Sequence, residues 1–166
     1  MNVITDRERL LTMATYPGMI PAESRLLRQF LRRRGQAFDE FRFGVRIGDG
    51  VTLDDSFDAG VRKSWDAITK ARPDTVAFAY PAAATIVEVK EAFTTEAVWQ
   101  LLGYRDLYAR TFPTHAIGLV GVAAFAAPNA KTLASRSGVD LFLYDLPPAQ
   151  VDVLEVAAEV SPDATP

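Results

Sequence analysis

The segment Thr85-Ile86-Val87-Glu88-Val89-Lys90 combines a β-strand pattern with two ionisable side chains. Side chains two apart in a strand share a face, so Glu88 and Lys90 are predicted to point one way and Val87 and Val89 the other. The run is apolar enough for a central strand, where an ion is costly unless it is paired or binds a metal. The alternative is a Glu88–Lys90 ion pair at the exposed end of the strand.

A second short β-rich run, residues 75–80, precedes this segment and begins directly after Arg72-Pro73-Asp74. The connection of about four residues between the two runs predicts a hairpin, which would carry the Asp74 carboxylate towards Glu88. Two carboxylates that converge repel each other unless a cation or a proton lies between them, and Mg²⁺ is commonly bound by one or two carboxylates. The alternative interpretation of Asp74 is an ordinary turn residue.

Two flanking helices add polar side chains that could face the same place. Glu23 shares a helical face with Leu26 and Leu27, which predicts that it points towards the core, although an acid in the first turn also interacts favourably with the helix N-terminus. Gln100 and Tyr104 are four residues apart in the helix that follows the Glu88 strand, so both reach one side. A tyrosine in such a stripe is also an ordinary core residue.

The rest of the chain alternates between helical and strand patterns and predicts an α/β fold. Helices are expected at about 5–15, from Pro21 to Gly35, within 58–71, at 95–110 and at 129–137, and strands at 37–47, 75–80, 85–90, 116–125 and 139–144. The closing strand-helix-strand order favours parallel pairing. We expect a single domain over residues 1–157, with helix 5–15 as an N-terminal extension, and a flexible tail over 158–166.

Composition narrows the kinds of site that the chain can hold. The sequence contains no cysteine and one histidine, which excludes disulfides and thiolate or His-rich metal sites, so a metal must be bound by oxygen atoms. Charges interrupt every long apolar run, and the N-terminus lacks the pattern of a secretory signal, so we expect an intracellular, cytoplasmic protein without membrane contact.

Positive charge is concentrated in one part of a chain whose formal net charge is −3. Residues 24–46 carry seven arginines against two acids, a local net charge of +5; the arginines are Arg25, Arg28, Arg32, Arg33, Arg34, Arg42 and Arg46. Such a run is interpreted either as a basic binding patch or as a solvated helix face.

Taken in order, these residues resemble a known superfamily. Glu23 in a helix, Pro73-Asp74 opening a strand, Glu88-Val89-Lys90 ending the next, and Gln100-x-x-x-Tyr104 in a helix resemble the PD-(D/E)XK, or restriction-endonuclease-like, nucleases. The Gln-x-x-x-Tyr element is similar to that of their RecB-type branch. The resemblance covers residues 21–145, and it is specific only as an ordered set.

The resemblance implies a restriction-endonuclease-like core, in which helices flank a central mixed β-sheet in αβββαβ order with a closing αβ unit. It implies a Mg²⁺ or Mn²⁺ ion held by Asp74, Glu88 and the backbone carbonyl of Val89, with Glu23 assisting. Lys90 would orient the attacking water and stabilise charge on the phosphate, while Gln100 and Tyr104 would support the site.

The function implied is metal-dependent hydrolysis of DNA phosphodiester bonds in repair, recombination or phage-genome processing. The arginines of residues 25–46 would then contact the DNA backbone without reading its sequence. An alternative is an assembly protein of a phage particle, of head-tail connector or neck type, which keeps the fold with little or no activity. That alternative predicts a homo-oligomer or larger assembly located in the virion, and a third is an unrelated α/β binding module.

Overall fold

Six strands form one open mixed sheet, in the same order as they occur in the chain. The computed structural model describes residues 1–81 and 83–146, apart from the side chains of residues 67 and 68. The strands are β1 (Asn2–Ile4), β2 (Glu40–Phe43), β3 (Thr75–Ala79), β4 (Ala83–Phe93), β5 (Ala116–Ala126) and β6 (Val139–Leu143). Strands β1 to β4 pair antiparallel, whereas β4, β5 and β6 pair parallel. Strand β4 therefore joins the antiparallel and parallel halves.

Helices cover both faces of this sheet. They are α1 (Arg7–Thr12), α2 (Pro21–Arg34), α3 (Ala59–Thr69), α4 (Thr95–Thr111) and α5 (Pro128–Arg136), and a 3-10 helix, Gly35–Ala37, follows α2. Residues of α4 and α5 share one apolar cluster with Ile86 of β4, and residues of α2 share a second cluster with Val87 and Val89. The predicted alternation along β4 is confirmed, as are the hairpin β3–β4 and the parallel strand-helix-strand ending. The α/β class and the mixed sheet are thereby established.

The N-terminus differs from the prediction of a helix over residues 5–15. Residues Asn2–Ile4 form strand β1 on β2, and the helix covers only Arg7–Thr12. Asp6 caps it, since its Oδ1 accepts a hydrogen bond of 3.1 Å from the N–H of Arg9. Pairing of Asn2–Ile4 with β2 holds the residues before this cap in extended conformation.

The strand expected over residues 37–47 is shorter than predicted, because the chain bends at Gly44. Gly44 has φ +70°, a left-handed conformation that glycine adopts without steric cost. Before the bend, Phe41 and Phe43 pack in the cluster with α2; after it, Val45 and Ile47 pack in the cluster with α4. The bend therefore turns the apolar side chains from one face of the sheet to the other, and this segment contributes to both apolar clusters.

Two other predicted boundaries need correction. The helix expected from Pro21 to Gly35 does not stop there, because Gly35 has φ −60° and continues α2 into the 3-10 helix. Strand β4 extends to Phe93, which places Glu88 and Lys90 inside the strand rather than at its end. Pairing with β5 continues as far as Phe93 and sustains this longer strand.

The expected tail, residues 158–166, and the last part of the expected 1–157 domain lie outside the described residues. Within residues 1–81 and 83–146, every helix is too short or too polar to cross a membrane.

The packing beside β4 can be tested at Gly121, the register partner of Glu88 on β5. A Cβ atom there would lie 2.5 Å from the ring of Phe93, which is fully buried. We therefore expect Gly121→Ala to lower the free energy of unfolding by about 2 kcal/mol, the usual cost of overpacking, in urea denaturation.

Gly103 of α4 is the matched control, because a Cβ atom there meets nothing within 4 Å. Gly103→Ala should raise the free energy of unfolding by roughly 0.5–1 kcal/mol through helix propensity alone. Equal effects of the two substitutions would contradict this packing.

Candidate active site

The β3–β4 hairpin brings Asp74 to the middle of β4. Pairing of Thr75 with Val87 places Asp74, the residue before β3, close to Val89. Oδ2 of Asp74 accepts a hydrogen bond of 2.8 Å from the backbone N–H of Val89. The carboxylate is thus fixed beside the strand that carries Glu88 and Lys90.

Glu88 and Lys90 form an ion pair next to Asp74. Nζ of Lys90 lies 2.7 Å from Oε1 of Glu88 and 3.8 Å from Oδ2 of Asp74. The side chain of Glu88 is only 2% exposed, whereas that of Lys90 is 33% exposed. Among the described residues, the buried Oε2 atom of Glu88 has no hydrogen-bond partner. The single ammonium of Lys90 therefore lies near two carboxylates, and one carboxylate oxygen of Glu88 has no hydrogen-bond partner among the described residues.

The environment raises the pKa of both carboxyl groups. Burial raises the pKa of Glu88 to about 7, and the charge of Asp74 adds to this rise against the opposing effect of Lys90. Burial also raises the pKa of Asp74, although the hydrogen bond from Val89 and the charge of Lys90 oppose it. Without a bound cation, it is therefore energetically unfavourable for both carboxyl groups to be ionised at the same time.

Lys90 remains a cation at neutral pH. Burial lowers the pKa of Lys90, but the hydrogen bond to Glu88 and the charges of Asp74 and Glu88 outweigh it, so that the pKa is raised overall. Lys90 is thus equipped to donate hydrogen bonds and stabilise negative charge rather than to accept a proton.

Glu23 approaches the site from the start of α2, but it also caps its own helix. Oε2 of Glu23 accepts a hydrogen bond of 3.3 Å from the N–H of Ile20. Burial raises its pKa, and the charges of Asp74 and Lys90 also act on it. It forms no hydrogen bond or ion pair with Asp74, Glu88 or Lys90. Glu23 therefore interacts with the N-terminus of its own helix, and it also lies close enough to Asp74 and Lys90 for their charges to affect its pKa.

Gln100 and Tyr104 contact each other, and Tyr104 also contacts the segment that presents Asp74. Nε2 of Gln100 donates a hydrogen bond of 2.6 Å to the hydroxyl of Tyr104, which donates one of 3.2 Å to the backbone carbonyl of Arg72. Burial and the charge of Glu88 raise the pKa of Tyr104, so this hydroxyl stays protonated near neutrality. Tyr104 therefore helps to fix the segment that presents Asp74. Arg72 itself was not among the site residues suggested by the sequence.

Four of the seven arginines in residues 25–46 take part in contacts within the fold. Arg28 donates hydrogen bonds to the carbonyls of Met13 and Ala14. The remaining contacts place Arg33 over the ring of Tyr144, Arg34 over that of Phe142, and Arg42 over that of Phe78 and against the Glu40 carboxylate. These contacts account structurally for part of the basic run.

The donor set at Asp74 and Glu88 fits a hard divalent cation. Carboxylate oxygens are the ligands that Mg²⁺ prefers, and a cation would satisfy Oε2 of Glu88 and relieve the repulsion between the two acids. In residues 1–81 and 83–146, no group of three or more histidine, cysteine, aspartate or glutamate side chains is arranged to hold a metal. Such an ion would therefore rest on two carboxylates supplemented by backbone oxygens and water.

Comparison with known proteins gives no relative: no family model, curated protein or solved structure matches the chain significantly.

The raised pKa of Glu88 makes stability depend on pH in the metal-free protein. An acid whose pKa rises from 4.5 to about 7 on folding contributes stability that is fully present below the lower value and is lost as pH rises through the higher one. Glu88→Gln removes the ionisation, so we expect it to raise the free energy of unfolding by about 2 kcal/mol relative to wild type near pH 8. The gain should disappear near pH 5.

Urea denaturation in the presence of a chelator measures this difference, and Glu8→Gln, at an exposed position of α1, is the control. The expectation would be contradicted if Glu88→Gln lowered the free energy of unfolding relative to wild type equally near pH 5 and near pH 8. The neighbouring protein groups would then stabilise the ionised carboxylate well without a cation.

Proposed function

We propose that this protein is a divalent-metal-dependent nuclease of the PD-(D/E)XK type, with a restriction-endonuclease-like core, which hydrolyses phosphodiester bonds of DNA. The observation that carries the proposal is the meeting of Asp74, Glu88 and Lys90 at the centre of a mixed sheet, with a buried oxygen of Glu88 that lacks a partner. An isolated surface ion pair does not account for a second, partly buried carboxylate at the same place. Mg²⁺ or Mn²⁺ bound to Asp74 and Glu88 would supply Lewis-acid stabilisation of the charge that develops on the phosphate.

The side chains of the site have separate roles in this proposal. Asp74 and Glu88 provide the negative charge that attracts the cation and hold it beside β4. Lys90 is both partly exposed and positively charged, so its Nζ can reach a phosphate oxygen or an attacking water and stabilise the transition state electrostatically. Tyr104 and Gln100 position the Asp74 segment through the carbonyl of Arg72.

The decisive experiment is cleavage of plasmid and single-stranded DNA with Mg²⁺, with Mn²⁺ and with a chelator. We expect cleavage only with the metals, and Lys90→Ala should reduce the rate constant by about 10²–10³-fold, the usual effect of losing one electrostatic donor. Lys131→Ala, at an exposed lysine of α5, is the matched control and should cut like wild type. Intact DNA under every condition, or full activity of Lys90→Ala, would contradict the proposed enzyme.

Metal binding can be measured separately from cleavage by isothermal titration calorimetry. Wild-type protein is expected to bind Mn²⁺ stoichiometrically, and both Asp74→Asn and Glu88→Gln should lose that binding, because each removes a charged ligand. Asp140→Asn, at an exposed position of β6, should retain it. Binding that survives both substitutions would locate the cation elsewhere.

A further inference from the structure

A second feature of the molecule is an open pocket next to the segment that presents Asp74. The pocket has a volume of about 400 Å³ and is lined by Met1, Asn2, Phe43, Gly44, Arg46 and Arg72. No acidic side chain lies in this lining, and its two charged side chains are both arginines. The pocket therefore offers a positive, solvent-accessible surface.

Strand register sets these two arginines opposite each other. The register that pairs Phe43 with Thr75 in β2 and β3 resumes at the bridge between Ile47 and Ala71, so Arg46 comes opposite Arg72. Both arginines lie outside β2 and β3, on neighbouring segments, where two like charges opposite each other repel. Neither guanidinium forms an ion pair with another described residue that would offset this repulsion. An anion bound between them would remove the penalty.

Two loops come close to the Arg72 guanidinium. Gly18 and Gly44 both have positive φ, and Cβ atoms built on them would lie 3.2 Å and 3.4 Å from a terminal nitrogen of Arg72. The backbones of two loops thus approach the guanidinium closely. The absence of side chains at Gly18 and Gly44 therefore leaves room for the Arg72 guanidinium beside the pocket.

The geometry points to a binding subsite for a phosphate group of the nucleic-acid strand, in which Arg46 and Arg72 together clamp a phosphate that neighbours the one cleaved. A guanidinium matches phosphate through paired N–H donors, and two of them opposite each other match its several oxygens. The inference rests on the proposed nuclease function. It adds Arg72 to the site and singles out Arg46 among the arginines of residues 25–46.

The subsite is physically linked to the carboxylates. Only Pro73 separates Arg72 from Asp74, so their Cα atoms lie within about 7 Å. The charge of Arg72 acts on the Asp74 carboxylate, and the hydroxyl of Tyr104 donates to the carbonyl of Arg72. A nucleic-acid strand bound at the clamp would therefore run next to the segment that presents Asp74.

The test is fluorescence anisotropy with a short labelled single-stranded oligonucleotide in the presence of a chelator, where no cleavage occurs. Arg72→Gln and Arg46→Gln should each weaken binding by about tenfold, as expected for a lost charged hydrogen bond. Each should also reduce the slope of log affinity against log salt concentration by about 0.7, the value for one phosphate contact on a single strand. Arg136→Gln, at an exposed position of α5, should bind like wild type.

An oligonucleotide with a neutral methylphosphonate backbone distinguishes phosphate contacts from contacts with bases. It should bind weakly and equally to wild type, Arg72→Gln and Arg46→Gln. Thermal melting establishes that each variant is folded. If Arg72→Gln does not fold, the exposed Arg46 alone decides the outcome.

The outcomes separate this inference from the proposed enzyme. Wild-type affinity and salt dependence in Arg46→Gln would overturn the subsite even if the protein cuts DNA, and so would arginine-dependent binding of the methylphosphonate strand. Loss of binding in Arg72→Gln and Arg46→Gln by a protein that never cuts DNA would support the subsite and contradict the nuclease. A wild-type protein that binds no nucleic acid overturns both.

Discussion

Burial of the Glu88 carboxylate in a central strand is the constraint on which the rest of the site depends. A charge removed from water must be compensated, and the compensation here is incomplete: Lys90 contacts one oxygen, while the other has no partner among the described residues. Asp74 increases the imbalance by adding a second negative charge. Apolar packing would stabilise this position more simply, so the stability of the fold does not by itself account for the carboxylate.

Local patterns in the sequence were sufficient to predict how the β3–β4 hairpin brings Asp74 close to Glu88 and Lys90. The period of two along β4 separates Glu88 from Val87 and Val89, and the short connection between two β-rich runs identifies the hairpin that brings in Asp74. The spacing of Gln100 and Tyr104 likewise places them on one side of a helix. All of these relationships lie within a few residues or within a single hairpin.

Relationships that depend on distant pairing were not visible in the sequence. The opposition of Arg46 and Arg72 depends on the register of β2 on β3 and on its continuation at the bridge between Ile47 and Ala71, and no local period encodes either. Pairing of the first residues with β2 similarly shortened the first helix. The contacts of Arg33 and Arg34 with rings after α5 also join remote segments, so a basic run alone did not distinguish binding arginines from those that stabilise the fold.

The mixed sheet affects the order in which parts of the molecule can fold. Asp74, Glu88 and Lys90 all belong to one antiparallel hairpin, which closes a short loop, whereas the pairing of β4 with β5 and of β5 with β6 requires helical crossovers. Contacts of short sequence separation form at lower entropic cost than distant ones. The two carboxylates can therefore meet before the parallel half of the sheet docks, and in the proposed nuclease a cation present at that stage would stabilise the hairpin while it forms.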